Sequence, residues 1–164
     1  MFQGSFIGYL ITFFVSLVPI IELRGAIPIG VIGYNLTYIE AFILAVIGNC
    51  IPIYFIVKFI GPIFKLLGKI KIFKKIIDWA TEKATNRIKE DERLQNYTSF
   101  ALFLFVAIPL PGTGAWTGSL IANFLGLPPK KACPPLILGV LAAGIIILTG
   151  TAIANGGINY LLNN

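Results

Sequence analysis

Two of the four apolar stretches in this chain are too long for one simple membrane span, and both are broken in the middle. They run from about Phe6 to Ile32 and from about Ser99 to Leu127. The first is interrupted by Pro19, Glu22, Arg24, Gly25, Pro28 and Gly30, the second at IPLPGTGAWTG. The other two, Ile39 to Ile60 and Ala132 to Ala154, are unbroken and each long enough to span a bilayer. Proline removes a backbone donor and clashes with the preceding turn, and glycine lets the chain turn sharply. Each broken stretch therefore reads as a re-entrant hairpin, in which one helix enters, the chain turns near mid-membrane and a second helix leaves. The competing reading is a strongly tilted, kinked spanning helix.

Charge supports a membrane setting. Of thirteen Lys and Arg residues, ten lie between Lys58 and Arg93, as do five of the seven acids. Outside that segment the charged residues are Glu22, Arg24, Glu40, Lys130 and Lys131. Charged residues make up 12% of the chain, about half the usage of an average globular domain, too few to cover a soluble surface. The net charge of +6 does not point to nucleic acid, because the basic residues border apolar spans, where anionic lipid headgroups lie. No cleavable signal is expected at MFQGSF. Cys50 and Cys133 fall in apolar runs and read as buried, inert thiols, with a disulfide or metal site as the lesser alternative.

The order of elements repeats. At an offset of about 90 residues, Val18-Pro19-Ile20 falls on Ile108-Pro109-Leu110, Gly25-Ala26 on Gly114-Ala115 with one gap, Glu40-Ala41 on Lys131-Ala132, and Gly48 on Gly139. The chain thus divides into a first repeat (1–60, hairpin about 6–32 and transmembrane helix about 39–60), a charged segment (61–97), and a second repeat (98–164, hairpin about 99–127 and transmembrane helix about 132–154). Broken segments at matching places in two halves point to a transporter site. The lysine-rich segment 61–97 should be cytoplasmic. The link GYNLTYIE then lies outside, LPPKK inside, and both termini outside, so the halves come out inverted. Within the charged segment, Ile63, Leu66, Leu67, Ile70, Phe73, Ile76, Ile77 and Ala80 recur at helical spacing. They predict an amphipathic helix at the inner interface with Trp79 as a headgroup-level anchor. The expected fold is an all-α integral membrane protein: an inverted repeat of re-entrant helical hairpin plus transmembrane helix, with an interfacial amphipathic helix.

Two intramembrane charges carry the functional question. An ionised side chain at the bilayer centre costs about 2.5–3.5 kcal/mol on insertion scales, so Glu22 and Arg24 must pair or face a cavity. On a continuous helix residues i and i+2 point apart, whereas on an unwound turn both reach one cavity. One reading is a structural ion pair. The other makes Arg24 a ligand for an anion or headgroup and Glu22 a proton or cation site. The second turn offers Thr113, Thr117, Ser119 and the Trp116 indole N–H as donors, and Gly112 and Gly114 expose amides, which together suit an anion. Packing and turn formation explain the same residues structurally. Glu40, at the outer end of the second stretch, reads as a solvated end charge or an ion-coupling residue. Asn49, inside that stretch, reads as an interhelical hydrogen-bonding residue or part of the site. No histidine, metal-ligand cluster or nucleophile–base pair is present, so neither an enzyme nor a cofactor is expected.

ELRGAIP (22–28) and PLPGTGAWTG (109–118) resemble the two signature turns of the small multi-drug export family of prokaryotic membrane proteins, over nearly the whole chain. That family is distantly similar to the DedA/VTT superfamily, in which facing re-entrant hairpins, amphipathic helices and an intramembrane arginine are characteristic. Some of its members are implicated in moving polyprenyl phosphate or other lipids and in coupling to proton gradients. The resemblance implies that Arg24 binds a headgroup and that Glu22 couples transport to an ion. The second turn here lacks the charge that a two-centred mechanism would use. The expected function is a small transporter of the prokaryotic inner membrane with a midplane site between the turns. It would be coupled to H⁺ or Na⁺ and move an anionic lipid headgroup or another amphipathic substrate. Export of cationic compounds, with Glu22 as their ligand, and a non-transporting membrane-organising role are the alternatives. Membrane lipids and a second copy of the chain are the expected partners.

Overall fold

The computed structural model describes residues 6–67, 92–110 and 112–162, and these are helical with short links. The elements are α1 (Phe6–Leu17), α2 (Glu22–Pro28) continued by a π-helical turn (Ile29–Gly33), α3 (Tyr38–Leu67), α4 (Glu92–Ala107), α5 (Ala115–Phe124) and α6 (Pro129–Leu162).

Proline sets both breaks. α1 ends at Leu17, just before the Val18-Pro19 pair, and α4 ends at Ala107, just before Ile108-Pro109. In each pair the proline ring disfavours the helical conformation of the preceding residue. The helix starts and stops are locally encoded as well. Thr37 and Glu40 form a reciprocal box at the start of α3. The Glu40 N–H donates to Thr37 Oγ1 at 3.3 Å and the Thr37 N–H donates to Glu40 Oε2 at 2.9 Å. α5 stops at a left-handed Gly126 (φ 67°). There the Leu127 N–H donates to the Ala122 carbonyl and the Gly126 N–H to that of Asn123, both at 3.0 Å. α6 opens on Pro129, whose missing N–H costs nothing in a first turn.

α1 and α2 fold back on each other. A Cβ on Gly8 would stand 2.7 Å from Tyr34 Cβ, and one on Gly30 would stand 2.7 Å from Thr12 Oγ1, so the contacts run antiparallel. α4 and α5 do the same, with Gly118 against Val106. Each long helix then runs beside the first arm of its own helix–turn–helix. Tyr9 donates to Glu40 Oε1 at 2.8 Å near the starts of α1 and α3, and Gly48 admits Ser16 and the Phe13 carbonyl further along. In the second half, Ser99 donates to the Lys131 carbonyl at 3.2 Å, and Gly139 admits Val106 and the Phe103 carbonyl. The glycine pair at positions 48 and 139 thus plays the same part in both halves, and the buried positions of α3 (Ala41, Ala45, Gly48, Asn49) recur on α6 (Ala132, Leu136, Gly139, Val140).

α3 and α6 pack together in opposite directions. Gly144 lies against Phe42 and Val46, and Asn155 Nδ2 donates to the Tyr38 hydroxyl at 3.1 Å. The segments Tyr38–Ile60 and Pro129–Gly156 are long and apolar enough to cross a membrane, yet only 39% and 33% of their apolar windows are buried. A core helix of a soluble protein would be mostly covered. Ile39, Phe55, Ile145 and Ile153 instead face outward, as lipid-facing residues do.

Three boundaries differ from the sequence reading. α3 runs without a break past Ile60 to Leu67, so the charged segment begins on the spanning helix itself. α4 begins at Glu92, where Glu92 pairs with Lys131 at 3.1 Å. The first break covers residues 18–21, and Arg24 lies within α2 rather than on an unwound turn. The expected interfacial helix with Trp79 lies outside the described residues over 68–91.

Candidate functional site at the meeting of two turns

The two breaks meet. Glu22, the first residue of α2, is 4% exposed and adopts φ 51°. That left-handed geometry turns its carboxylate out of α2 and across to the other half. There Oε1 accepts the Trp116 N–H at 3.1 Å, and the Ala115 N–H also faces the carboxylate. Glu22 thereby caps α5 from a segment more than ninety residues away, placing a carboxylate at the positive end of that half-helix. Gly114, with φ 142°, makes room: a Cβ there would stand 2.1 Å from Glu22 Oε2. Only glycine fits both the conformation and the space.

Arg24 works in the same direction one helical step on. Its Nη1 donates to the Leu110 carbonyl and its Nη2 to Thr113 Oγ1 at 2.8 Å. Thr113 is held in turn by the Leu110 N–H, which donates to Oγ1 at 3.2 Å, and by the Ile108 and Leu110 carbonyls, which stand 2.9 and 2.8 Å from Oγ1 and can accept its proton. The guanidinium so closes the carbonyl-rich end of α4. The second turn reciprocates, because Trp116 Nε1 donates to the Leu17 carbonyl at 3.1 Å, covering the end of α1. Glu22 and Arg24 are near enough to feel each other's charge, but among the described residues they form no direct ion pair. Each charge is engaged by the opposite turn.

Asn49 stands on α3 beside this junction, with eleven residues of the Tyr38–Ile60 span on either side. It is fully buried and lies close to the Glu22 carboxylate, but neither amide atom has a hydrogen-bond partner of regular geometry. The buried hydroxyls do not supply one, since Ser119 donates to the Ala115 carbonyl at 2.6 Å and Ser16 to that of Phe13 at 2.7 Å.

The structure therefore brings together Glu22, Arg24, Thr113, Gly114, Trp116 and Asn49. Gly112 (φ 83°) is exposed on the far side of the second turn with open space beside it, and Thr117 is half-buried one position past Trp116. Glu40 lies elsewhere, engaged by Tyr9 and Thr37 at the start of α3. The amides that meet the Glu22 carboxylate are those of Ala115 and Trp116 at the start of α5, not the Gly112 and Gly114 amides that the sequence offers to an anion. Two participants escaped the sequence reading, the Leu17 and Leu110 carbonyls, because a backbone acceptor leaves no trace in residue type. Ile20 is the other surprise. This β-branched residue sits at φ 83° and is 98% exposed at the tip of the first break, a strained conformation of the kind found at ligand clamps and switches.

No curated protein and no solved structure matches the chain. The model of one family, described as "Putative small multi-drug export protein", matches residues 22–146. That match starts at Glu22, just past the first break, takes in the second turn and ends within α6. With its two membrane-length helices and this match over most of its length, the chain is a membrane protein of the small multi-drug export family.

Proposed function

We propose that the protein is an ion-coupled transporter whose substrate site lies at mid-membrane, between two re-entrant turns that reach in from opposite faces. Several features support that placement. α1, at twelve residues, is about 18 Å long, little more than half of a hydrocarbon core of about 30 Å. It starts level with α3, at the Tyr9–Glu40 contact. α4 runs beside α6 in the same way from Ser99 and Lys131. The antiparallel packing of α3 and α6 fits an inverted repeat, with 61–97 on the cytoplasmic side and both termini outside. The DedA/VTT likeness of the two turns agrees with this arrangement.

The single observation that carries the function is Arg24. It is a half-buried guanidinium at the junction, held by a carbonyl and a hydroxyl that a stronger acceptor can replace. A phosphate matches the guanidinium fork better than either present partner. The preferred substrate is accordingly an anionic lipid headgroup of the polyprenyl-phosphate kind. Its arrival at Arg24 would release the second turn from the first, and alternate release toward each face would move it. The family description favours a second reading, export of cationic amphipathic compounds, for which the buried Glu22 carboxylate is the ligand.

Transbilayer movement of a labelled polyprenyl phosphate in proteoliposomes, beside a cationic dye, tests both. Movement of the lipid that disappears in Arg24→Ala supports the headgroup reading. Movement of the dye alone, lost in Glu22→Gln, replaces it with drug export. Movement of neither by folded protein under a proton or sodium gradient removes both and leaves a membrane-organising role.

A further inference from the structure

The strain in the first break serves no packing. Among the described residues the backbone takes positive φ at Ile20, Glu22, Asn35, Gly112, Gly114 and Gly126. The second half uses glycine at all three of its positions, where the conformation is free of strain. Asparagine tolerates it through its short polar side chain. Glu22 has a reason to be there, because its carboxylate reaches α5. Ile20 has none of its own. A β-branched residue makes left-handed backbone costly, and at 98% exposure its side chain gains almost no packing in return.

The neighbours impose the conformation. Pro19 fixes its own φ on one side. On the other, the Glu22 N–H donates back across Ile20 to the Val18 carbonyl at 3.0 Å, while the Glu22 carboxylate is drawn to the Trp116 N–H. Ile21 keeps right-handed geometry (φ −79°) between two left-handed residues. Its side chain lies where a Cβ on residue 25 would stand, so Gly25 lets the break fold tightly onto α2.

We infer that residues 18–22 are a spring loaded by the clasp between the two turns. With the turns joined, the first break is held in left-handed backbone. When they part, Ile20 and Glu22 can return to negative φ and the strain is released. The clasp consists of the Glu22–Trp116, Arg24–Leu110, Arg24–Thr113 and Trp116–Leu17 hydrogen bonds. Three of these involve a charged group, which strengthens them. Unopposed, they favour the joined state heavily. The strain offsets part of that preference and brings the parted state within reach of a ligand's differential affinity. This goes beyond the transport reading, since it holds for any ligand or ion that parts the turns.

Amide hydrogen exchange at Trp116, followed by NMR on the full chain in lipid nanodiscs without substrate, reads how often the clasp opens. Ile20→Gly removes the strain and keeps every clasping residue. The expected result is exchange slower by about twofold to fivefold, the strain relieved less the freedom that glycine adds to the parted state. Ile20→Asn, which takes the left-handed region without glycine's freedom, should slow exchange as well. Ile20→Val, equally strained, should leave it unchanged. In a Glu22→Ala background the carboxylate that loads the spring is gone, and Ile20→Gly should have no effect at Trp116. Arg24→Ala provides the weakened clasp if Glu22→Ala does not fold, and there the effect should shrink. Unchanged or faster exchange in both Ile20→Gly and Ile20→Asn overturns the inference. Equal slowing with the clasp intact and broken overturns it too, since the strain would then belong to the break alone.

Discussion

The two turns share a frame and divide the chemistry. Both breaks fall at a residue before proline, and both long helices carry a glycine where the first arm crosses them, Gly48 against Phe13 and Ser16 and Gly139 against Phe103 and Val106. The first turn brings two charged side chains and two strained non-glycine residues, Ile20 and Glu22. The second brings glycines, amides, carbonyls and the Trp116 and Thr113 side chains, with no charge. A repeat of identical turns would set like charges face to face. Divergence into a charged turn and a backbone-rich one makes each the partner of the other.

Substitutions at the second turn's glycines break this comparison hardest. Gly114→Ala drives a methyl into the Glu22 carboxylate at a positive φ, and should cost about 3 kcal/mol. Gly112→Ala has the same sign of φ but open space, and should cost only about 1 kcal/mol. Denaturant unfolding in lipid bicelles compares them. Equal losses would mean that Glu22 does not sit against Gly114.

Arg24→Lys keeps the charge and loses the fork that spans Leu110 and Thr113. Lipid transport in proteoliposomes should fall about tenfold or more, the rate equivalent of one charge-assisted hydrogen bond, with the fold retained. Unchanged transport would reduce Arg24 to a point charge.

The repeat itself is sharpened by Gly48→Ala and Gly139→Ala. Both meet a side chain and a main-chain carbonyl inside 3.0 Å, so each should lose about 1–3 kcal/mol by overpacking. Gly150→Ala, with nothing near it, should be neutral or gain up to about 1 kcal/mol of helix propensity. A large loss at one of the matched positions and none at the other would end the equivalence of the halves. A modest loss is expected for Trp116→Phe, which removes the hydrogen bond to the Leu17 carbonyl and should lower stability by about 1 kcal/mol.

Much of this was legible because it rests on proline, glycine and charge. The Pro19 and Pro109 breaks mark the turns, the apolar runs mark α3 and α6, and Glu22 and Arg24 are too costly in a membrane to lack partners. What those partners are was not legible. Capping of α5 by Glu22 depends on a left-handed φ at a non-glycine residue, which no propensity favours, and Arg24 and Trp116 bind carbonyls that any residue would supply. Asn49 stood out as a polar residue in an apolar run, but its position beside Glu22 comes from packing of α3 on both helix–turn–helix units. Glu40 lay in an equally apolar setting and turned out to serve the start of α3, a role its spacing from Thr37 encodes.

The account depends most on the first turn dipping into the membrane and returning to the side it came from. Single cysteines at Phe6, an outward-facing residue, and at Gly33, where a side chain has open space, mark the two ends of that unit once Cys50 and Cys133 are replaced by serine. Labelling with a membrane-impermeant thiol reagent, in right-side-out and inverted vesicles, reports the face each occupies. The account predicts that both label from the same, outer face. Labelling of Phe6→Cys and Gly33→Cys from opposite faces would make the first unit a kinked spanning helix and remove the mid-membrane site.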